Sequence, residues 1–454
     1  MLGVAIVLVL ARHLGTAEFG RYTLLLALVA LASAGIGELG TSGYLIREAT
    51  RRPHELGSLL GDIVVVRLVM GAVLIGVLSV IGSLSGYDRQ LLAALALISV
   101  ATVLQLLSDA HLVALQSMER LTDVAVARVE RALINAAAIL AAVLLGGRLV
   151  AVAAAILVAA MCFVPLAVER FRRRWREPVP LRFRQLRSRA RPMLGFSAVW
   201  LLTAALTYFD SVMVYWLKGA AEAGLYGAAY RFLLLLQTIP ALYTDAVTRP
   251  FSALAGTDVP AFRRLYVQLV KHQVAVAVPI GLVGVAFAGS LTTTLFGQSY
   301  ADGARAAALL LIVTLVDFPA WIMFTAAFAL GLESWIAKCL GVTVLGNVLA
   351  NLFVIPKWGA TGAAGATLAA TAALTLTVGA KLHASGFPAE WRQWSKPLFA
   401  GMPALGLLLA TRDLSPAVSA VLGIGAYVAA FVALRGVSAE DRALLRALVG
   451  RQNG

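Results

Sequence analysis

The sequence has 454 residues, of which 60% are hydrophobic and only 13% are charged. A soluble domain is about half apolar and about one quarter charged, so this composition excludes a soluble globular protein. A membrane-spanning helix needs about 20 mostly apolar residues, and the chain has room for about 14 of them with short loops. The apolar runs are continuous rather than alternating, which argues against a transmembrane β-barrel. We therefore predict an all-α polytopic membrane protein.

Apolar stretches recur at near-regular intervals along the chain. We predict spans at 2–11, 22–46, 60–83, 90–116, 121–145, 149–168, 193–217, 222–248, 267–290, 303–328, 334–354, 359–381, 396–411 and 415–434. The first stretch is half a crossing, so either the natural start lies further upstream or the first helix is clipped. A signal peptide is the rival interpretation, but no basic segment precedes this stretch and no small-residue cleavage site follows it.

Lysine and arginine predict the orientation of the spans. With the N-terminus inside, the inner loops and tail carry 25 basic residues and the outer loops carry 8. Basic residues concentrate in cytoplasmic loops, so both termini are expected to be cytoplasmic. This bias explains the net charge of +15 without a nucleic-acid partner. The longest loop, 169–192, holds ten arginines and is expected to lie against anionic lipids of the inner leaflet.

A short motif recurs in the two halves of the chain. Gly15–Tyr22 reads GTAEFGRY and Gly219–Tyr226 reads GAAEAGLY, which gives the pattern G-x-A-E-x-G-x-Y twice. Six spans separate the copies, and an even number gives both halves the same orientation, as in transporters built from parallel repeats. Chance similarity in a chain rich in alanine and glycine is the competing explanation. The predicted domains are a six-helix lobe over 1–168, a basic cytoplasmic linker over 169–192, a second six-helix lobe over 193–382, and helices 13 and 14 with a cytoplasmic tail over 383–454.

Four segments, taken in order, resemble the polysaccharide flippases of the MOP (multidrug/oligosaccharidyl-lipid/polysaccharide) superfamily. They are ARHLGTAEFGRYTLLLA, GELGTSGYLIREATRR, YFDSVMVYWLKGAAEAGLYGAAYRF and VIPKWGATGAAGATLA. The resemblance implies a bacterial inner-membrane protein that moves undecaprenyl-pyrophosphate-linked oligosaccharides to the outer leaflet by alternating access. It implies no cofactor, a monomer, and a polysaccharide polymerase and chain-length machinery as partners.

Residues for enzyme chemistry are sparse. The five histidines lack metal-ligand spacing, and neither a Walker A motif nor a D-x-D triplet occurs in the sequence. No loop is long enough for a folded catalytic domain, which disfavours a membrane glycan polymerase or glycosyltransferase. The runner-up is a multidrug or small-molecule exporter of the same superfamily, which would have a smaller, more acidic or aromatic pocket in place of a basic cavity.

Charged residues within spans usually face a cavity or a partner. The fifth span places five polar residues on one side of a helix: Asp123, Arg128, Glu130, Arg131 and Asn135. A water-filled cleft would produce this pattern, and an interhelical ion-pair network is the alternative. We predict that Arg67, Arg128 and Arg131 bind the anionic headgroup of the substrate. For Arg67 the alternative is snorkelling to the cytoplasmic headgroups.

Other spans supply further candidates. The predicted cavity-wall residues are Glu38, Asn135, Thr203, Thr207, Tyr230 and Gln237. Asp317 lies mid-span before a proline and is predicted to couple transport to an ion gradient, with a buried hydrogen-bonded carboxyl as the alternative. Asp210 and Arg231 lie at matching depths below the outer ends of spans 7 and 8. They are predicted to form an ion pair that either fixes the hairpin or acts as a latch.

Overall fold

The computed structural model describes residues 2–38, 40–181, 186–387, 390–411 and 413–437, and every regular element in these ranges is helical. Nine helical segments of this described part are long and apolar enough to cross a membrane. Two of them, Ala5–Arg51 and Glu333–Ala384, are 47 and 52 residues long. The first includes predicted span 22–46 and most of 2–11, and the second includes predicted spans 334–354 and 359–381. The predicted all-α polytopic fold is confirmed. Part of the linker 169–192 and the tail beyond 437 lie outside the described residues.

The chain divides into two compact units, Met1–Gly227 and Ala228–Gly454. The described helices of the first unit are α1 (Leu2–Ala32), α2 (Thr41–Arg51), α3 (Leu56–Leu84), α4 (Arg89–Ser117), α5 (Leu121–Leu144), α6 (Leu149–Arg174), α7 (Leu186–Lys218) and the beginning of α8 (Ala220–Leu236). The predicted division at the linker 169–192 is based on the sequence repeat, and it stays a prediction.

The second unit begins within α8. Its further described helices are α9 (Thr238–Ala255), α10 (Val259–Ala286), α11 (Ala288–Phe296), α12 (Ala304–Ala329), α13 (Glu333–Ala384), α14 (Trp391–Ala410) and α15 (Pro416–Ala433). In this unit α10 packs against α12 and α14, and α12 packs against α13.

Helix ends and kinks follow local chemistry. The Asp88 carboxylate accepts a hydrogen bond from the Leu91 N–H at 2.8 Å, and it caps the start of α4. Two long helices change direction at a glycine, α1 at Gly15 and α13 at Gly359. These two glycines have φ angles of 71° and 55°, which side chains disfavour. The kink in α13 therefore lets one helical segment supply two crossings.

The first unit is built around α4, which packs against α3 and α6. Large side chains such as Leu60, Leu115, Phe163 and Phe171 form its buried core. The outer faces of the helices are also apolar, and Leu145 remains 87% exposed. Apolar side chains on both the inner and the outer faces are what a lipid environment requires.

Three predicted spans are not continuous helices. A π-helical turn over Ser33–Gly37 and a loop separate α1 from α2 within predicted span 22–46. Predicted span 222–248 is interrupted at Gln237, between α8 and α9, and predicted span 267–290 is interrupted after α10. Hydropathy does not reveal such interruptions, because it is averaged over a window of about 20 residues and each interruption is only a few residues long.

Candidate substrate cavity

Two adjoining cavities in the first unit hold the arginines singled out from the sequence. Their volumes are about 390 Å³ and about 330 Å³, and both are lined by Asp109, Arg128 and Arg131. The larger cavity is completed by α4, α5 and α6, and it includes Asn135. The smaller cavity reaches the interruption after α1, where Glu38 and Arg67 line it. Five predicted site residues thus line these two cavities: Glu38, Arg67, Arg128, Arg131 and Asn135.

The interruption after α1 shapes the smaller cavity. After the π-helical turn, Gly40 adopts a φ of 67° and α2 starts at Thr41. Glu38 ends the π-helical turn, where its N–H donates to the Ser33 carbonyl oxygen, and it lies at the cavity wall. Irregular backbone inside a membrane is tolerated where protein buries it or where it lines a cavity.

Arg67 is held firmly by its neighbours and is only 1% exposed. Its Nε donates to Thr41 Oγ1 and one of its terminal nitrogens donates to Ser42 Oγ, both at 2.9 Å. The other terminal nitrogen donates to the carbonyl oxygen of Leu106. Arg67 therefore ties α3 to α4 and to the start of α2, and it presents little of its guanidinium to the cavity.

Arg131 has one carboxylate partner in the cavity. Its guanidinium lies 2.5 Å from Asp109 Oδ1 and 5.7 Å from the centre of the Phe163 ring. The two charged side chains are about one third exposed, at 33% and 39%. Such a part-exposed pair exchanges partners readily, because water screens most of its attraction.

Arg128 is the most available cation of the three. It lines both cavities, its residue is exposed, and among the described residues its side chain has no hydrogen-bond or ion-pair partner. It lies three residues before Arg131 on α5, so the two guanidinium groups project from the same side of the helix. Together they can hold one anionic group between them.

The carboxylates of α5 have partners on α6. Arg170 contacts Glu130 at 2.7 Å, and Arg174 contacts Asp123 at 3.0 Å. Ion pairs between α5 and α6, the alternative given for this span, are thus present for these two acids. They leave the arginines of α5, rather than its acids, facing the cavity.

Two glutamines of α4 that were not predicted, Gln105 and Gln116, add to the polar lining beside Asp109. Gln105 lines the larger cavity, Gln116 lines the smaller one, and Asp109 lines both. Their spacing of four and seven residues places all three on one helical face. This spacing is visible in the sequence and would have identified the two glutamines as cavity-lining residues.

In the second unit, Asp317 on α12 is the centre of a small polar cluster. Gln237 Nε2 donates to Asp317 Oδ2 at 3.1 Å, and Trp321 Nε1 donates to the same oxygen at 3.3 Å. Gln237 lies in the interruption between α8 and α9. The hydrogen-bonded carboxyl given as an alternative is thus present, and a coupling role stays a prediction. Among the described residues no group of three or more His, Cys, Asp or Glu could hold a metal ion.

The remaining predicted residues lie elsewhere. Thr207 Oγ1 donates to the carbonyl oxygen of Thr203 at 2.8 Å within α7, and Tyr230 is buried in the second unit. Asp210 is fully buried and accepts a hydrogen bond from the Tyr226 hydroxyl at 3.2 Å. The cavity-wall roles and the pairing of Asp210 with Arg231 stay predictions.

Comparison with protein families gives a match over more than half of the chain. The family described as "Polysaccharide biosynthesis protein" matches residues 1–254. A curated relative, "Probable flippase AglR" of Haloferax volcanii, is 26% identical over 186 residues, which are 40% of this chain and 38% of that protein. The chain therefore aligns with well under half of this relative's length.

Comparison with solved structures identifies the fold. The lipid II flippase MurJ in its inward closed conformation gives a TM-score of 0.77 at 11% identity, over 96% of each chain. An inward-facing multidrug resistance MATE family transporter of the MOP superfamily gives 0.69 at 14% identity, over 85% of this chain and 94% of that one. The resemblance noted in the sequence is confirmed at the level of family and fold.

Proposed function

We propose that this chain, which belongs to the polysaccharide biosynthesis protein family, is a flippase for lipid-linked oligosaccharides. It carries an undecaprenyl-pyrophosphate-linked oligosaccharide from the cytoplasmic to the outer leaflet of the bacterial inner membrane by alternating access. The fold shared with MurJ and the partial match to AglR support this proposal. Neither relative defines the glycan.

The observation that carries the proposal is the pair of cavity arginines on α5. Arg128 is unpartnered among the described residues. Arg131 would have to give up only its ion pair with the part-exposed carboxylate of Asp109 in order to bind a ligand. Guanidinium groups bind phosphate through paired, charge-assisted hydrogen bonds. A diphosphate offers enough oxygens for both arginines, while Gln105, Gln116 and Asn135 can hydrogen-bond to sugar hydroxyl groups.

Arg67 supports this site from behind. Its bonds fix α2 and α4 around the smaller cavity, and its buried charge adds to the positive potential there. The proposed headgroup contacts are therefore made by Arg128 and Arg131 first. Direct contact of Arg67 with the headgroup would require it to give up bonds that it already makes.

Binding of a polyprenyl-diphosphate oligosaccharide to the protein in nanodiscs tests the site. Arg128→Gln should weaken binding by about tenfold or more, since a charge-assisted contact is worth about 1.5–3 kcal/mol. Arg120→Gln is the matched control, because Arg120 precedes α5, is exposed and lies outside both cavities. Unchanged binding by Arg128→Gln would rule out the arginine site. Preferential binding of cationic drugs by the parent protein would favour the multidrug exporter.

Further partners follow from the proposed role. The arginines at the end of α6 and in the linker 169–192 would contact anionic lipids of the inner leaflet. A polysaccharide polymerase with its chain-length machinery would consume the flipped product. We propose that the flippase itself acts as a monomer.

A further inference from the structure

The repeated motif G-x-A-E-x-G-x-Y contributes nothing to the arginine cavity. Both copies nevertheless lie in the first unit, one in α1 after Gly15 and the other at the start of α8. The two copies meet each other there. The contact is made by glycines that occupy the same position of the motif, Gly20 and Gly224.

The backbones approach so closely at this contact that no side chain fits between them. A methyl group added to Gly20 would lie 1.7 Å from the carbonyl oxygen of Ala220. A methyl group added to Gly224 would lie 1.9 Å from the carbonyl oxygen of Thr16. Since the obstacle is backbone in both cases, rotation of a side chain cannot make room.

The contact is reciprocal. Thr16 and Ala220 occupy the second position of their copies, and each carbonyl meets the glycine of the other copy. Each copy thus presents a small residue four positions before a glycine. This small-xxx-small spacing allows two membrane helices to cross at short distance. One turn deeper, Gly227 packs against a side chain instead of backbone: an added methyl group would lie 2.4 Å from the Thr23 hydroxyl oxygen.

The surroundings show where this crossing lies. It is buried, with Phe19, Ala223 and Tyr226 fully inaccessible. Thr16 and Ala220 also line an open polar cavity of about 710 Å³, with Glu18 and Arg148 paired at its rim at 3.0 Å. The predicted topology puts both motif copies at the outer ends of their helices. The cavity lined by Thr16 and Ala220 therefore lies on the outer side of the protein and ends at the glycine crossing.

We propose that the two motif copies form a clamp, the Gly20–Gly224 crossing, that holds the outer ends of α1 and α8 together and must open before cargo leaves. This proposal rests on the proposed flippase function for the identity of the cargo. Because the contact depends on close backbone-to-backbone packing, a small separation of the two helices is enough to break it. A side chain at either glycine biases the protein toward the open state.

Labelling from the outside tests the clamp without any substrate. Cys162 and Cys339 are replaced by serine, and Thr23→Cys, 7% exposed beneath the crossing, reports access to a membrane-impermeant maleimide. Gly20→Ala and Gly224→Ala should each raise the labelling rate about tenfold or more, because overpacking by one methyl group favours separation of the helices.

Gly76→Ala is the matched control. Gly76 lies in α3 with no atom within 4 Å of an added methyl group, so this change should leave labelling at the parent rate. Labelling that stays at the parent rate in folded Gly20→Ala and Gly224→Ala proteins overturns the clamp. Because labelling needs no substrate, this result is independent of whether the chain is a flippase.

If the alanine variants do not fold, a reversible cross-link between the two helices tests the clamp instead. In the protein with Thr16→Cys and Ala220→Cys, a short reducible bis-maleimide should join the two helices. The linked protein should lose lipid flipping and regain it when the linker is cleaved. Failure to cross-link, or flipping at the full rate while linked, contradicts the clamp.

Discussion

Arg67, Arg128 and Arg131 have the same side chain, but their different surroundings give them three different roles. Arg67 is buried and donates to two hydroxyl groups and one carbonyl group, so its guanidinium joins neighbouring helices. Arg131 shares its charge with Asp109, and Arg128 keeps its charge free among the described residues. A buried charge is tolerated only with such partners, whereas a part-exposed charge stays available to a ligand.

Replacement of Arg67 tests its structural role. Arg67→Met keeps an unbranched apolar stem like that of arginine but removes the guanidinium and its three hydrogen bonds from a buried site. The free energy of unfolding should fall by about 2–4 kcal/mol. Thermal unfolding in detergent measures the change. Arg120→Met, at an exposed position, should stay within about 0.5 kcal/mol, and equal effects of the two changes would contradict the role given to Arg67.

The linker segment around Pro178 and Pro180, which follows the end of α6, packs onto α3. A methyl group added to Gly61 would lie 2.1 Å from the carbonyl oxygen of Pro180, and one added to Gly57 would lie 3.0 Å from that of Pro178. Two glycines one turn apart thus give α3 a shallow face for an extended, proline-containing segment. The part of the linker that directly follows α6 is therefore an extended segment packed on α3, not a loose connection.

The docking of the linker can be tested with a pair of glycine variants in one helix. Gly61→Ala should lower the free energy of unfolding by about 1–3 kcal/mol, because the added methyl group meets backbone. Gly76→Ala, which has open space around it, should be neutral or slightly stabilising. Denaturation of the two purified variants under one set of conditions compares them. A loss of stability confined to Gly76→Ala would refute the packing described for the linker.

The sequence revealed positions within elements better than contacts between them. Hydropathy placed Asp317 in mid-span, and helical spacing placed Arg128 and Arg131 on one side of α5. The hydrogen-bond partners were out of reach, because Thr41 is 26 residues from Arg67 and Gln237 is 80 residues from Asp317. The interruption around Gly40 was hidden because hydropathy averages over conformation. Glu38 was nevertheless predicted, since a carboxylate in an apolar segment stands out in any conformation.

For the whole molecule, the proposed transport cycle draws on both units. The first contains the arginine cavity, and the second contains Asp317 with its two N–H donors. Both donors contact the same oxygen, Oδ2, so a proton can bind Oδ1 without displacing them. We therefore favour a proton over a metal cation as the coupling ion at Asp317, since tryptophan offers a cation no ligand atom.

Asp317→Asn tests this coupling. An amide resembles the protonated carboxyl in shape, and like it is uncharged but cannot release a proton. The variant should therefore bind substrate normally but lose the stimulation of flipping by a proton gradient. Flipping in vesicles with and without an imposed pH difference measures the effect, and Asp302→Asn, a change at an exposed acid two residues before α12, serves as the control. A gradient response that survives in Asp317→Asn would remove this carboxyl from the mechanism.

The most direct test of the central claim is flipping by the purified protein in vesicles. A fluorescent polyprenyl-diphosphate oligosaccharide is reconstituted with the parent protein, with Arg128→Gln/Arg131→Gln, or with no protein, and the fraction accessible to an external glycan-cleaving enzyme is followed. The parent protein should move the lipid between leaflets at least about tenfold faster than the double variant, which loses two charge-assisted contacts. Equal rates for the parent, the double variant and protein-free vesicles would contradict the assignment of this chain as an arginine-dependent flippase.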